Sequence, residues 1–339
     1  IFNHTSSGIY LADSSDVNNI SGNIIYNNTN GIINNQSTST TIRNNSIYSN
    51  SLNGITLIEN SDFSTIDGNS IYNNAQGILN NLSDATTFTN NNIYSNSQNG
   101  LYIVGSSNIN SFGTITSATS NSFYNNTLAG LYFVDSSSDN PITGTYYNNS
   151  NGIVVYSSNP NIGRSVIYNN TNYGILLDKS TNIELDYLTV YGHSGAGIFL
   201  NGTNFTTVGS NEFTIYNNSI GIWLNNSFNN SLIFNSSDNF NLNNNTVGLL
   251  MESSGNNTIS GFVITNSSVG LNITSSNDNL IYNNNFSSNT INAFDQGTNV
   301  WNITLTDASL TTFVGKNIIG GANLGGNYWS DYLGNDSTN

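Results

Sequence analysis

The stretch NSIYNNAQGIL, Asn69 to Leu79, contains no charge, no cysteine, no histidine and no proline, and versions of it return along almost the whole 339-residue chain. Its Gly77-Ile78 pair has counterparts at Gly8-Ile9, Gly31-Ile32, Gly54-Ile55, Gly100-Leu101, Gly130-Leu131, Gly152-Ile153, Gly174-Ile175, Gly197-Ile198, Gly221-Ile222, Gly248-Leu249 and Gly270-Leu271. The period is about 22 to 24 residues, with longer steps after Gly100 and Gly221, which is the size of one supersecondary unit in a solenoid. A second column runs in step: Ile25-Tyr26, Ile47-Tyr48, Ile71-Tyr72, Ile93-Tyr94, Phe123-Tyr124, Tyr146-Tyr147, Ile167-Tyr168, Val190-Tyr191 and Ile215-Tyr216. A weaker third column is formed by Ile20, Ile42, Ile66, Phe88, Ile142, Ile162, Val208, Ile233 and Ile259.

Each apolar segment alternates with polar residues over four or five positions and then meets Asn, Gly or Ser, which is strand periodicity with turn chemistry at both ends. A leucine-rich repeat has a similar period but requires Leu at several fixed positions, and these are absent. Three short strands per repeat predict an all-β fold: a parallel β-helix of about 12 coils, each hydrogen-bonded to the next about 4.8 Å along the axis. The Asn three residues after each strand aliphatic (Asn28, Asn50, Asn74, Asn96, Asn126, Asn149, Asn170, Asn218, with His193 once) is expected to take a left-handed corner and to stack its amide on the next coil. The repeat glycines are expected to serve the same backbone need.

Composition narrows function. The net charge is -15 with four basic residues, Arg43, Arg164, Lys179 and Lys316, too few to neutralise a phosphate backbone or hold an anionic membrane surface. There is no cysteine for a disulfide or a thiolate metal site, and no apolar run approaches the roughly 18 residues of a membrane span. The chain starts at Ile1 with the repeat already running at Gly8, which reads as a portion of a longer chain.

The pattern N-x-I-Y-x-N-x-x-x-G-I-x-L resembles the right-handed parallel β-helix repeats of the NosD-like family. The tail NIIGGANLGGNYWSDYLGND, Asn317 to Asp336, is similar to the GGNYWSDY segment that ends such domains in archaeal surface proteins. The resemblance implies a right-handed coil over residues 1–298, a C-terminal capping segment over 299–339 and an archaeal cell-surface location. It supplies no shared catalytic motif, because relatives include sugar-processing enzymes, metal-centre accessory proteins and scaffolds.

A β-helix enzyme acting on polysaccharide needs paired carboxyls, or Ca²⁺ ligands with a base, on adjacent coils. Asp13, Glu59 and Asp135 share a register, five after the Gly, but lie on coils that are not neighbours. Arg164, Asp186 and Glu212 precede the same strand in three successive coils, with Asp178, Lys179, Glu184 and His193 nearby; the bland reading is a surface salt-bridge ladder, the sharper one an active or metal site. The sequons Asn125, Asn148, Asn169 and Asn217 recur at one corner, and Asn201, Asn204, Asn229, Asn256 and Asn302 lie elsewhere; all are candidate glycosylation sites on a secreted chain. The stripe Tyr26, Tyr48, Tyr72, Tyr94, Tyr124, Tyr147, Tyr168, Tyr191 and Tyr216 follows an inward aliphatic, so alternation turns it outward, either to stack on itself or to serve as an interface or glycan track.

Together these residues lead to a non-catalytic extracellular structural protein, a rigid building block of a surface layer, sheath or filament, or an adhesin stalk. The expected partners are copies of itself first and surface glycans second, with no cofactor, no catalytic residue and no metal ligand assigned. A carbohydrate-active hydrolase or lyase using the Arg164 patch, and a glycan-binding module using the Tyr stripe, are the alternatives.

Overall fold

The computed structural model describes residues 1–105, 110–112, 120–135, 142–209, 212–234, 240–304, 306–307, 317–318 and 323–332. Lys316 and part of the Asn317–Asp336 tail lie outside them. Among the described residues every regular element is a β-strand, and nearly all of them pair in parallel.

One coil shows the plan. Thr65–Asp67, Ser70–Tyr72 and Gln76–Asn81 are three strands separated by two tight corners. Each pairs with its equivalent one repeat away: Ile66 with Ile42, Ile71 with Ile47, and Ile78 with Ile55. The Gln76–Asn81 equivalents form a 13-stranded sheet running from Ser7–Leu11 to Ile291–Asp295. Because registered strands repeat the same alternation, one residue type stacks on itself coil after coil. Ile32, Ile55, Ile78 and Leu101 make one buried column, and Ile25, Ile47, Ile71 and Ile93 another. These columns merge into a single apolar core from Ile20 to Phe286.

The third column is placed as expected except at one step, where Leu232 rather than Ile233 pairs with Val208 and turns inward. A one-residue shift in a strand exchanges the faces, so the inward role passes to the neighbour. The coils over 142–191 are also simpler than three strands. Ile142–Tyr147, Ile162–Tyr168 and Glu184–Tyr191 are each one long strand in which two short ones have fused.

The repeat glycines do not serve a left-handed backbone: none from Gly8 to Gly270 in that column has a positive φ. Their reason is close approach. A Cβ at Gly54 would sit 2.6 Å from the Gly77 carbonyl oxygen and 2.6 Å from Ile71 Cγ2, so the next coil occupies the space a side chain needs.

Candidate functional site

The corner asparagines divide the two tasks that the sequence assigns to one residue. The left-handed residue is the one before, for example Asn73 at φ 54° and Asn125 at φ 55°, both exposed. The next residue, Asn74 or Asn126, is buried and turned into the stack. There Asn50 donates its backbone N–H and its side-chain amide to Asn74 Oδ1, both at 3.0 Å, and Asn74 does the same to Asn96 Oδ1 at 3.0 and 3.3 Å. The ladder runs on through Asn126, Asn149 and Asn170. Stacked amides thus satisfy corner N–H groups that would otherwise be buried without partners.

His193 holds one rung of this ladder, as the sequence suggests. Its Nδ1 accepts the Asn170 backbone N–H at 3.1 Å, its own N–H donates to Asn218 Oδ1 at 3.0 Å, and its Nε2 faces the Ile167 carbonyl at 3.3 Å. A neutral ring protonated on Nε2 satisfies both contacts. Burial lowers its pKa from 6.5 to about 4, against the two backbone hydrogen bonds, which act in the opposite direction.

The tyrosine stripe lies outward and stacks on itself. Tyr26, Tyr48, Tyr72, Tyr94, Tyr124, Tyr147, Tyr168, Tyr191 and Tyr216 form one continuous pile with centroids 4.7 to 5.2 Å apart and planes within 8° of parallel. Phe2 extends it at one end, and Asn243 follows Tyr216 at the other. Ring faces are therefore covered by ring faces, and the pile presents edges and hydroxyls to its surroundings. Partial desolvation raises the hydroxyl pKa of Tyr94, Tyr124 and Tyr147.

The charged patch is assembled differently from its sequence register. Ser165 pairs with Leu188 and Leu188 with Phe213, so the row in register is Arg164, Tyr187 and Glu212, while Asp186 pairs with Gly163. Arg164 and Tyr187 both have left-handed backbones, at φ 42° and 49°, which bend the fused strands where other coils have a corner. The Arg164 guanidinium lies 4.1 Å from the centre of the Tyr187 ring, a cation–π contact. A cleft of about 140 Å³ is lined by Asn161, Arg164, Glu184, Asp186 and Tyr187. Glu212 lines a separate depression together with Tyr187 and Asn241. Asp178 and Lys179 belong to the large sheet and its corner: Asp178 accepts the Asn201 amide at 2.9 Å, and Lys179 lies near the Tyr156 ring. Asp13, Glu59 and Asp135 occupy the corner that follows that sheet, each left-handed.

Among the sequons, Asn125, Asn148, Asn169, Asn217, Asn229, Asn256 and Asn302 are exposed. Asn201 and Asn204 are half-buried and already engaged, Asn201 with Asp178 and Asn204 through its Oδ1, which accepts the Phe228 N–H at 2.7 Å.

One surface is not among the sequence-derived candidates. The residue two after each repeat Gly lies on the outer side of the 13-stranded sheet, and successive registers align Tyr10, Ile33, Thr56, Leu79, Tyr102, Tyr132, Val154, Leu176, Phe199, Trp223, Leu250 and Asn272, with Phe294, two after Asn292, ending the row; Thr56, Val154 and Phe199 are themselves buried. Eleven of these thirteen are apolar or aromatic. The signal is present in the repeat, one position beyond the inward aliphatic, but a column of mixed Leu, Val, Tyr and Trp lacks the uniformity that makes the Tyr stripe visible.

The family model described as periplasmic copper-binding protein (NosD) matches residues 113–241 and 214–334, so that 222 of 339 residues, 113–334, are covered. The chain belongs to the NosD family. A right-handed β-helix model matches residues 1–114, which extends the same fold to the N-terminal coils of this NosD-family chain. A search of curated proteins gave no match. Among solved structures, the chain is similar to the A-module of Azotobacter vinelandii mannuronan C-5 epimerase AlgE4, at 14% identity and TM-score 0.50 over 79% of this chain and 88% of that one. It is also similar to tailspike protein 2 of the Escherichia coli bacteriophage CAB120, at 11% identity and TM-score 0.48 over 87% of this chain and 44% of that one. At such identity these likenesses concern the fold alone.

Proposed function

We propose that this chain is a non-catalytic structural protein outside the cytoplasm, a rigid β-helical rod that assembles with copies of itself at a cell surface and carries N-linked glycans at its exposed corners. The observation that supports this reading most directly is the pair of ladders, asparagine and tyrosine, in which the most repeated side chains bond or stack to the next coil. They are spent on stiffness along the axis. The word periplasmic in the family description agrees with a place outside the cytoplasm.

The copper in that description is a poor fit to the residues of this chain. Copper sites are built from Cys, His and Met. The chain has no Cys, two His and one Met. His193 has both ring nitrogens directed at backbone groups of the ladder, and Met251 is fully buried in the core. Among the described residues no three His, Cys, Asp or Glu side chains are grouped to hold a metal ion.

A second reading, a carbohydrate-active enzyme, is favoured by the cleft that brings Glu184 and Asp186 beside Arg164. The two readings separate in one assay. The native protein is incubated with acidic and neutral polysaccharides, with and without Ca²⁺, and product is measured for wild type, Glu184→Gln and Asp186→Asn. No turnover is expected. Turnover abolished by either substitution, with stability retained, would overturn the structural reading.

A further inference from the structure

We infer that two copies of this chain associate side by side through the outer face of the 13-stranded sheet, an inference that rests on the structural reading above and names its contact surface. The row two after the repeat Gly includes Ile33, Leu79, Leu176, Trp223 and Leu250, all partly exposed and all on one sheet. Toward the C-terminal end a second outward row adds Val247 and its registered neighbours, and widens the apolar surface.

Three physical arguments select a second copy as the occupant. The first is area. Thirteen strands about 4.8 Å apart make a face about 60 Å long, and the outward rows span about 15 Å across it, roughly 900 Å² in all, against the ~800 Å² per partner of a stable interface. The second is charge. The chain carries -15, so two copies repel each other over most of their surface, whereas the central row holds no Asp, Glu, Lys or Arg. Asp178 and Glu252 border it as a polar rim, and Trp223 Nε1 donates to Glu252 Oε2 at 2.9 Å. The third is spacing. Side chains that repeat at every coil make ridges with one fixed interval, and a partner that matches that interval along the whole length is another β-helix of the same rise. A glycan chain is the weaker occupant, because sugar stacking needs free ring faces. Here Phe199 and Trp223 lie 4.1 Å apart and cover each other, and much of the row is aliphatic.

The test is sedimentation velocity of the full chain over a range of concentrations, alone and with soluble polysaccharide added. The variants are Leu176→Glu with Leu250→Glu, Leu176→Thr as a milder change, and Tyr72→Ser on the other face as a control. Circular dichroism and thermal melting confirm that each variant is folded. The wild type is expected to dimerise, the double variant to associate about a hundredfold or more weakly, Leu176→Thr to fall between, and Tyr72→Ser to match the wild type. A wild type that stays monomeric, a dimer indifferent to the folded Leu variants, or association that requires polysaccharide each overturns the proposal. The turnover assay judges the non-catalytic reading separately, so a monomer without turnover removes this contact surface and the self-assembly, and leaves the non-catalytic rod.

Discussion

The Asn170 backbone N–H donates to His193 Nδ1 at 3.1 Å, in the place where every neighbouring rung presents an asparagine Oδ1. That nitrogen can accept only while it is unprotonated. The folded pKa of about 4 lies below the ordinary 6.5, so between these values the unfolded chain binds a proton that the folded chain does not. The His193 contribution is complete above about pH 6.5 and declines as the pH falls toward 4, by about 3 kcal/mol in total. The His193→Asn variant restores a pH-insensitive acceptor. Denaturation of both proteins from pH 7 to pH 4 should show wild type losing stability relative to the variant; parallel curves would contradict this account.

The division of labour at the corner gives a paired test. Asn74→Ala removes the acceptor for two Asn50 donors inside the stack and is expected to cost about 2 to 4 kcal/mol. Asn73→Ala leaves those bonds intact and meets only the left-handed backbone, about 1 kcal/mol. Equal losses in chemical denaturation would mean that the buried amide carries no special role.

Gly54→Ala is expected to destabilise by about 1 to 3 kcal/mol, because its Cβ meets the backbone oxygen of the next coil, which cannot swing aside, as well as the packed Ile71 side chain. At Gly22 a Cβ meets nothing within 4 Å, and the left-handed φ of 70° alone should cost about 1 kcal/mol. Calorimetric or denaturant melts of both variants check the order.

Position along the tyrosine pile should matter. Tyr124→Ser loses two ring contacts, at 4.7 and 4.8 Å, and is expected to cost about 1 to 3 kcal/mol, whereas Tyr216→Ser loses one, at 4.8 Å, and about half as much. If the end and the middle behave alike, ring stacking is not what the pile contributes.

Glycopeptide mass spectra of native protein should find sugar on some or all of Asn125, Asn148, Asn169 and Asn217, which are exposed at one corner. Asn201 and Asn204 should be bare, since their amides are held by neighbouring coils. Modification at Asn204 with all four corner sites unmodified would reverse the argument from exposure.

Much of the fold is legible in Asn69 to Leu79 because a solenoid reuses one local solution: the same alternation and the same corner chemistry recur every coil, so a sequence period is also a spatial one. The candidate surfaces are less legible. Arg164, Tyr187 and Glu212 each stand three residues before a second-column aliphatic, Ile167, Val190 and Ile215, whereas Asp186 stands four before Val190, so Tyr187 takes the place in line and Asp186 pairs with Gly163; that Asp186 still lines the Arg164 cleft is a property of the stacked coils.

Composition and periodicity by themselves determined the all-β coil, its three inward columns, the outward Tyr stripe and the place of His193 in the asparagine row, since each depends on residues close in sequence. Only the stacked structure decided why the repeat glycines cannot carry a side chain, which of two adjacent corner residues is left-handed, and that the row from Tyr10 to Phe294 forms one continuous outer face. Those properties depend on what lies one coil away, a separation of about 5 Å in space but more than 20 residues in the chain.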